Sequence, residues 1–163
     1  MDHPAILILT TGGTIDKNYF DALSEYQIVD SGIPALLKEA RVALQFRIEE
    51  VCRKDSLELS DADRSELARR VAEAPELRVV ITHGTDTMTD TAKALAHIPG
   101  KTIVLTGALS PARFAETDAP FNLGMAFATA QVAPPGVYIA MSGQVFDGLR
   151  VRKDRAAGRF VAV

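Results

Sequence analysis

The sequence predicts an α/β protein built on an open, mostly parallel, doubly wound sheet, and three observations predict it. Short, continuously apolar and partly β-branched runs recur at 5–9, 46–52, 77–82, 102–105 and 137–141, as expected of strands covered on both faces. Between them lie stretches whose apolar residues repeat at helical spacing, and that alternation is the mark of βαβ units. Several runs end in segments rich in Thr and Gly, where a parallel sheet opens a crevice for ligands. The expected architecture is a three-layer sandwich of the Rossmann or flavodoxin kind.

Each element has its own justification. Ala5 to Leu9 opens the sheet and is expected to turn at Thr10-Thr11-Gly12-Gly13-Thr14. Ser31 is placed to cap a short helix with Pro34 in its first turn. Phe46 to Cys52 is the second strand. Ser60 and Asp63 have capping-box spacing and open a longer helix that carries Leu67, Ala68, Val71 and Ala74 on one face. Leu77 to Thr82 leads into His83-Gly84-Thr85-Asp86-Thr87, followed by the stripe Met88, Ala92, Leu95 and Ala96, which Pro99-Gly100 ends. Thr102 to Leu105 leads into Thr106-Gly107-Ala108. Asp118 and Pro120 precede a last helix with Leu123, Phe127 and Ala130, and Pro134-Pro135-Gly136 turns the chain into the strand Val137 to Met141. No internal repeat or low-complexity tract interrupts this order, so one domain over residues 1–163 is expected.

Composition narrows the function classes. A chain of 163 residues with 47% apolar and 24% charged residues can bury one good core. A formal net charge of -3 provides no sequence-wide basic field for nucleic acid or anionic lipid. Cys52 is the single cysteine, so neither an internal disulfide nor a cysteine-based zinc site is expected. The opening Met1-Asp2-His3-Pro4 has no basic region, and the apolar run after it is too short for a signal core or a membrane span. The expectation is a cytoplasmic protein.

The Thr- and Gly-rich segments carry the chemistry. Gly12 and Gly13 permit a tight turn and close approach to a ligand, while the threonines offer hydroxyls. The segment lacks both the dinucleotide fingerprint and the phosphate-loop ending, so a nucleotide role would rest on glycine alone. Asp86 or Thr87 can also simply cap the helix that follows. His83 has no partner at metal-ligand spacing and is taken as structural.

Thr-Gly-Gly-Thr-Ile at 11–15 and His-Gly-Thr-Asp-Thr-Met at 83–88 together resemble the two signatures of bacterial-type L-asparaginases. The resemblance runs on in family order through Thr106-Gly107-Ala108, through Asp118-Ala119-Pro120-Phe121-Asn122-Leu123, and through Asp147-Gly148 followed by Lys153. It implies an amidohydrolase that converts L-asparagine to L-aspartate and ammonia with neither a metal nor an organic cofactor. Thr14 would be its nucleophile on a mobile loop, and Tyr26 the hydroxyl partner. Thr85, Asp86 and Lys153 would form a second polar group, Lys153 easing deprotonation of a threonine and Asp86 receiving the substrate's α-ammonium. Ala108 would offer a backbone carbonyl near the departing ammonia. Lys153 stands among Arg150, Arg152 and Arg155, so the alternative for it is a solvated basic tail.

Two departures from the family pattern bear on function. Members have a smaller C-terminal domain that lends an acidic residue to a neighbouring subunit's site, and no residue here takes that part. Where the family commonly has a small polar pair for the substrate α-carboxylate before an aspartate, this sequence has Arg53-Lys54-Asp55-Ser56. Arg53 and Lys54 would either hold that carboxylate or stand as solvated charges at a strand end. The resemblance further implies a homo-oligomer, here a dimer. Two other functions stay open: a noncatalytic asparagine sensor, and the ammonia-donating component of an amidotransferase.

Overall fold

The computed structural model describes residues 5–163; the first four residues, which enter the localisation expectation, lie outside the described residues. Along the chain come β1 (Ile6–Gly12), the hairpin β2 (Lys17–Phe20) and β3 (Glu25–Ile28), α1 (Ile33–Glu39), β4 (Phe46–Lys54), α2 (Asp61–Glu73), β5 (Arg78–Thr82), α3 (Met88–Leu95), β6 (Thr102–Thr106), α4 (Ala119–Val132), β7 (Gly136–Met141), β8 (Gln144–Asp147), β9 (Val151–Asp154) and β10 (Arg159–Ala162). The sheet order is β4-β1-β5-β6-β7-β8. Its first five strands are parallel and β8 closes the edge antiparallel to β7. Counting parallel strands alone, this is the 2-1-3-4-5 order of flavodoxin-like folds, whose ligand crevice opens where the winding reverses. Here that point lies between β1 and β5.

The expected helices all form, two on each side. One core joins α2 and α3 through Leu67, Val71, Met88 and Leu95 to β-strand residues such as Leu7, Leu9 and Ile81. The other joins α1 and α4 through Ile33, Leu37, Leu123 and Phe127 to Ile6, Ile8 and Val80. The strict alternation of Ile6 and Ile8 with Leu7 and Leu9 explains the continuous apolar run: both faces of β1 are buried. Each such side chain contributes roughly 1.5–3 kcal/mol of transfer free energy.

The capping box of α2 is formed in full, Ser60 accepting from the Asp63 N–H and Asp63 accepting from the Ser60 N–H. Asp118 stands at the start of α4 without a side-chain cap bond to the helix N–H groups. Its carboxylate accepts the N–H groups of Leu109 and Ser110, while Thr117 Oγ1 accepts from Ala119. Two corrections concern strands. β1 runs on to Gly12, so Thr10 and Thr11 are strand residues rather than turn residues. The chain after Met141 also forms three more strands where only a tail followed the last expected one.

Candidate active site

Close glycine packing laces the carboxyl ends of the central strands together. A Cβ on Gly13 would lie 2.5 Å from the Gly84 nitrogen, and one on Gly107 would lie 2.3 Å from the His83 carbonyl oxygen. Only glycine allows backbones this close. Gly13 N–H also donates to the Lys54 carbonyl at 3.0 Å, which ties in the end of β4. Thr14, Thr85 and Ala108 each follow one of these contacts by a single residue, so the fold gathers at the winding reversal the three segments that the sequence singled out.

Lys153 is held by strand geometry. On β9 it shares a face with Val151, which is buried in the core beside Phe160, because alternate residues of a strand point the same way. The β9–β10 hairpin packs this face against α3. The ammonium of Lys153 therefore turns inward and donates to Thr85 Oγ1 and Asp86 Oδ1, both at 2.7 Å. Its side chain is 17% exposed, against 69% for Arg155, whose Nε stands 4.0 Å from the same carboxylate. The solvated-tail alternative fits Arg155 and not Lys153. With Lys153 as donor, Thr85 Oγ1 is an acceptor in this contact and its own proton is free to point elsewhere.

Thr14 starts a single 3-10 turn, Thr14–Asp16, whose other residues Ile15 and Asp16 are buried. Asp16 Oδ1 accepts Ser31 Oγ at 2.9 Å and Gly32 N–H at 3.1 Å, and the Ile15 carbonyl accepts Ala112 N–H at 2.9 Å. Burial raises the pKa of Asp16, and the bonds from Ser31 and Gly32 oppose the shift. The turn that bears Thr14 is thus docked on the domain, where a mobile loop was expected. The exposed part of this segment is the β2–β3 hairpin. Tyr26 sits on it, 54% exposed, its ring 5.1 Å from Tyr19 and 6.1 Å from Phe114 between centroids. No hydrogen bond joins Tyr26 to Thr14 among the described residues.

Of the two alternatives for Arg53 and Lys54, the structure pairs both side chains with carboxylates of their own surroundings at the strand end. Arg53 Nε donates to Glu50 at 2.6 Å, and Lys54 Nζ donates to Asp63 at 2.8 Å. The capping box of α2 holds Asp63 in place for Lys54, and that pairing draws the Asp63 pKa down to about 2. Lys54 reaches the site through its backbone alone. Two residues further on stands a side chain that the sequence pattern did not single out. Ser56 is buried, its Oγ has no hydrogen-bond partner among the described residues, and a Cβ on Gly84 would lie 2.8 Å from that Oγ. An unpartnered buried hydroxyl is costly, and here it adjoins the Gly84–Thr85 backbone. Its one signal in the sequence was its position after a strand-end aspartate.

His83 is fully buried, and its role follows from its bonds. Nδ1 lies 2.6 Å from the Gly84 carbonyl and Nε2 lies 2.7 Å from Thr91 Oγ1. A carbonyl only accepts, so Nδ1 carries the proton and Nε2 accepts from Thr91. Thr91 in turn accepts from Arg64 Nε at 3.2 Å. Desolvation lowers the His83 pKa to about 4, so the ring is neutral at physiological pH. It braces the Gly84–Thr85 turn, as expected for a structural histidine. Among the described residues no cluster of His, Cys, Asp and Glu suits a metal ion.

The fold and the site define a flavodoxin-like α/β domain with a threonine, lysine and aspartate group at the reversal crevice. A family model described as asparaginase, N-terminal, matches residues 5–160. The chain is 33% identical over 163 residues to an L-asparaginase of Thermococcus kodakarensis, covering 94% of this chain and 48% of that one. It is 37% identical over 176 residues to a glutamyl-tRNA(Gln) amidotransferase component of Pyrobaculum aerophilum, covering 94% and 40%. The solved structure of the thermostable L-asparaginase from Thermococcus kodakarensis superposes with a TM-score of 0.85 at 30% identity over 97% of this chain and 51% of that one. A probable cytoplasmic L-asparaginase from Campylobacter jejuni also gives 0.85 at 30%, over 98% and 54%. The chain belongs to the asparaginase family. It spans about half the length of the curated relatives it matches.

Proposed function

We propose that this chain is an amidohydrolase that converts L-asparagine to L-aspartate and ammonia, with Thr14 as nucleophile. The observation that carries the proposal is the contact of Lys153 with both Thr85 and Asp86 at 2.7 Å, one residue beyond the glycine contact that brings the Thr14 turn alongside. Thr14 Oγ attacks the side-chain amide carbon, ammonia leaves with the transferred proton, and water resolves the resulting aspartyl-threonine ester. A threonine hydroxyl needs help to attack or to activate water. Lys153 supplies it to Thr85 by stabilising negative charge on Oγ1. Asp86 has an oxygen besides the one held by Lys153 and receives the substrate α-ammonium. Ser56 Oγ and the adjoining backbone take the carboxylate contact that Arg53 and Lys54 do not make. Tyr26 serves Thr14 once the hairpin closes over substrate, and the Ala108 carbonyl meets the departing ammonia.

The domain works as a homo-oligomer in the cytoplasm, without metal or organic cofactor. Among the described residues no helix is long and apolar enough to cross a membrane. The decisive assay is ammonia release from L-asparagine and L-glutamine by the purified protein without added metal or nucleotide. Turnover of asparagine supports the reading. A folded protein that binds asparagine without turnover would replace it with a sensor. The likeness to the amidotransferase components of Pyrobaculum aerophilum and Aeropyrum pernix favours one further reading, an ammonia donor to a partner; ammonia release that appears only with a copurifying protein would select it.

A further inference from the structure

The start of α4 spends two polar side chains on the backbone of the loop that follows β6. Asn122 is fully buried. Its Nδ2 donates to the Gly107 carbonyl and to Asp118 Oδ2, both at 2.9 Å, and its Oδ1 accepts the Ser142 N–H at 3.1 Å. Both donors of the amide and its oxygen are thereby engaged. Asp118 accepts the Leu109 N–H at 2.9 Å and the Ser110 N–H at 3.0 Å.

Gly107 and Leu109 stand on either side of Ala108, so the two bonds fix the direction of its polar groups. Every described peptide bond is trans, and a trans peptide sets its C=O and N–H on opposite sides. With the Gly107 C=O turned to Asn122, the Ala108 N–H of the same peptide points away from Asn122. With the Leu109 N–H turned to Asp118, the Ala108 C=O points away from Asp118. Neither group of Ala108 has a hydrogen-bond partner among the described residues, although the residue is only 3% exposed. Buried backbone groups are nearly always paired, so an unpaired donor and an unpaired acceptor on one residue mark a place for a ligand. The surroundings agree. Ile15, next to Thr14, packs in the same core as Ala108, and Gly107 sits against the His83 backbone that leads to Thr85.

We infer that Asp118 and Asn122 are positioning residues for the leaving group, holding the Ala108 carbonyl where it accepts a hydrogen bond from the departing nitrogen. The inference rests on the amidohydrolase reading, in which that carbonyl meets ammonia. An acceptor fixed in advance costs no reorganisation when charge shifts onto the departing amine. An amide nitrogen carries N–H groups from the bound substrate to the free product, whereas the alkoxy oxygen of an ester has none to donate. The pair of side chains should therefore favour cleavage of an amide over that of an ester with the same acyl group.

The test compares L-asparagine with the β-methyl ester of L-aspartate, which form the same aspartyl-enzyme and differ in what leaves. kcat/KM is measured for both on the full chain, beside Asp118→Asn and Asn122→Ser. Asp118→Asn keeps the shape but leaves one acceptor oxygen where two are used, so one N–H of the loop or of Asn122 loses its partner. Each variant should lose about 10- to 100-fold in kcat/KM for the amide and less than about threefold for the ester. Both substrates are read on one preparation, so any loss of folded protein cancels in their ratio. Equal losses for amide and ester, or no loss in either variant, would overturn the inference and leave the amidohydrolase reading standing. A parent that cleaves neither substrate would overturn that reading and the inference with it.

Discussion

The two halves of the candidate site are built differently. In the Thr85 half the charged group is already engaged: Lys153 bridges Thr85 and Asp86 at 2.7 Å, and His83 braces the turn beneath them from a fully buried position. In the Thr14 half the anchors are complete while the working groups are not. Ile15 and Asp16 dock the turn, yet Tyr26 lies on an exposed hairpin and makes only ring contacts. On the proposed mechanism, preorganisation goes to the group that would hold charge, whereas the half that would admit substrate keeps its closing element outside.

The comparison breaks first at Lys153. Lys153→Met should lower kcat for asparagine by about a thousandfold or more, in the range of lost electrostatic stabilisation. The same change should lower stability by only about 1 kcal/mol, since the ion pair it removes is partly exposed. Steady-state ammonia release beside urea denaturation checks both. Next comes the glycine packing. Gly84→Ala would set a Cβ 2.7 Å from Ser56 Cβ and 3.0 Å from the Ser56 nitrogen. The backbone must shift, at a cost of about 1–3 kcal/mol, and a displaced Thr85 should lose about a hundredfold in kcat/KM.

How much of this was legible in the sequence depends on range. β1 and the helix stripes were plain because burial on both faces of a strand, or on one face of a helix, writes itself into local periodicity. The Thr85 segment was legible because the Gly and Thr residues follow a strong strand. β9 was not: its four residues, Val-Arg-Lys-Asp, carry one apolar side chain, and its pairing with β10 is what turns Lys153 inward. Arg53 and Lys54 were left between two alternatives for the same reason, since the carboxylates that hold them, Glu50 and Asp63, are chosen by strand and cap geometry. Ser56 was hidden because its meaning lies in what it fails to bond.

Smaller effects sharpen the contrast. Tyr26→Phe should reduce kcat by roughly 10- to 100-fold, at or below the usual contribution of a proton-transfer partner. Melting should be unchanged, because only the exposed hydroxyl is lost. If stability falls as well, the hairpin is part of the rigid domain and the contrast fails. At neutral pH His83 should matter least to rate and most to acid tolerance. Its folded pKa near 4 lies below the ordinary 6.5, so the unfolded chain binds the proton first. The stability it lends is complete above pH 6.5 and is lost as pH falls toward 4. At about 1.4 kcal/mol per pH unit, the loss between pH 6.5 and 5 is about 2 kcal/mol. Urea titrations across that window should show this slope in the parent and a flatter one in His83→Gln.

The division of labour between the two threonines is tested most directly by acid-quenching the enzyme during turnover of L-asparagine and mapping the peptide that gains an aspartyl group. The account predicts the adduct on the peptide bearing Thr14, its loss in Thr14→Ala, and its accumulation in Lys153→Met if ester hydrolysis becomes the slow step. An adduct on Thr85, or undiminished turnover by Thr14→Ala, would contradict it.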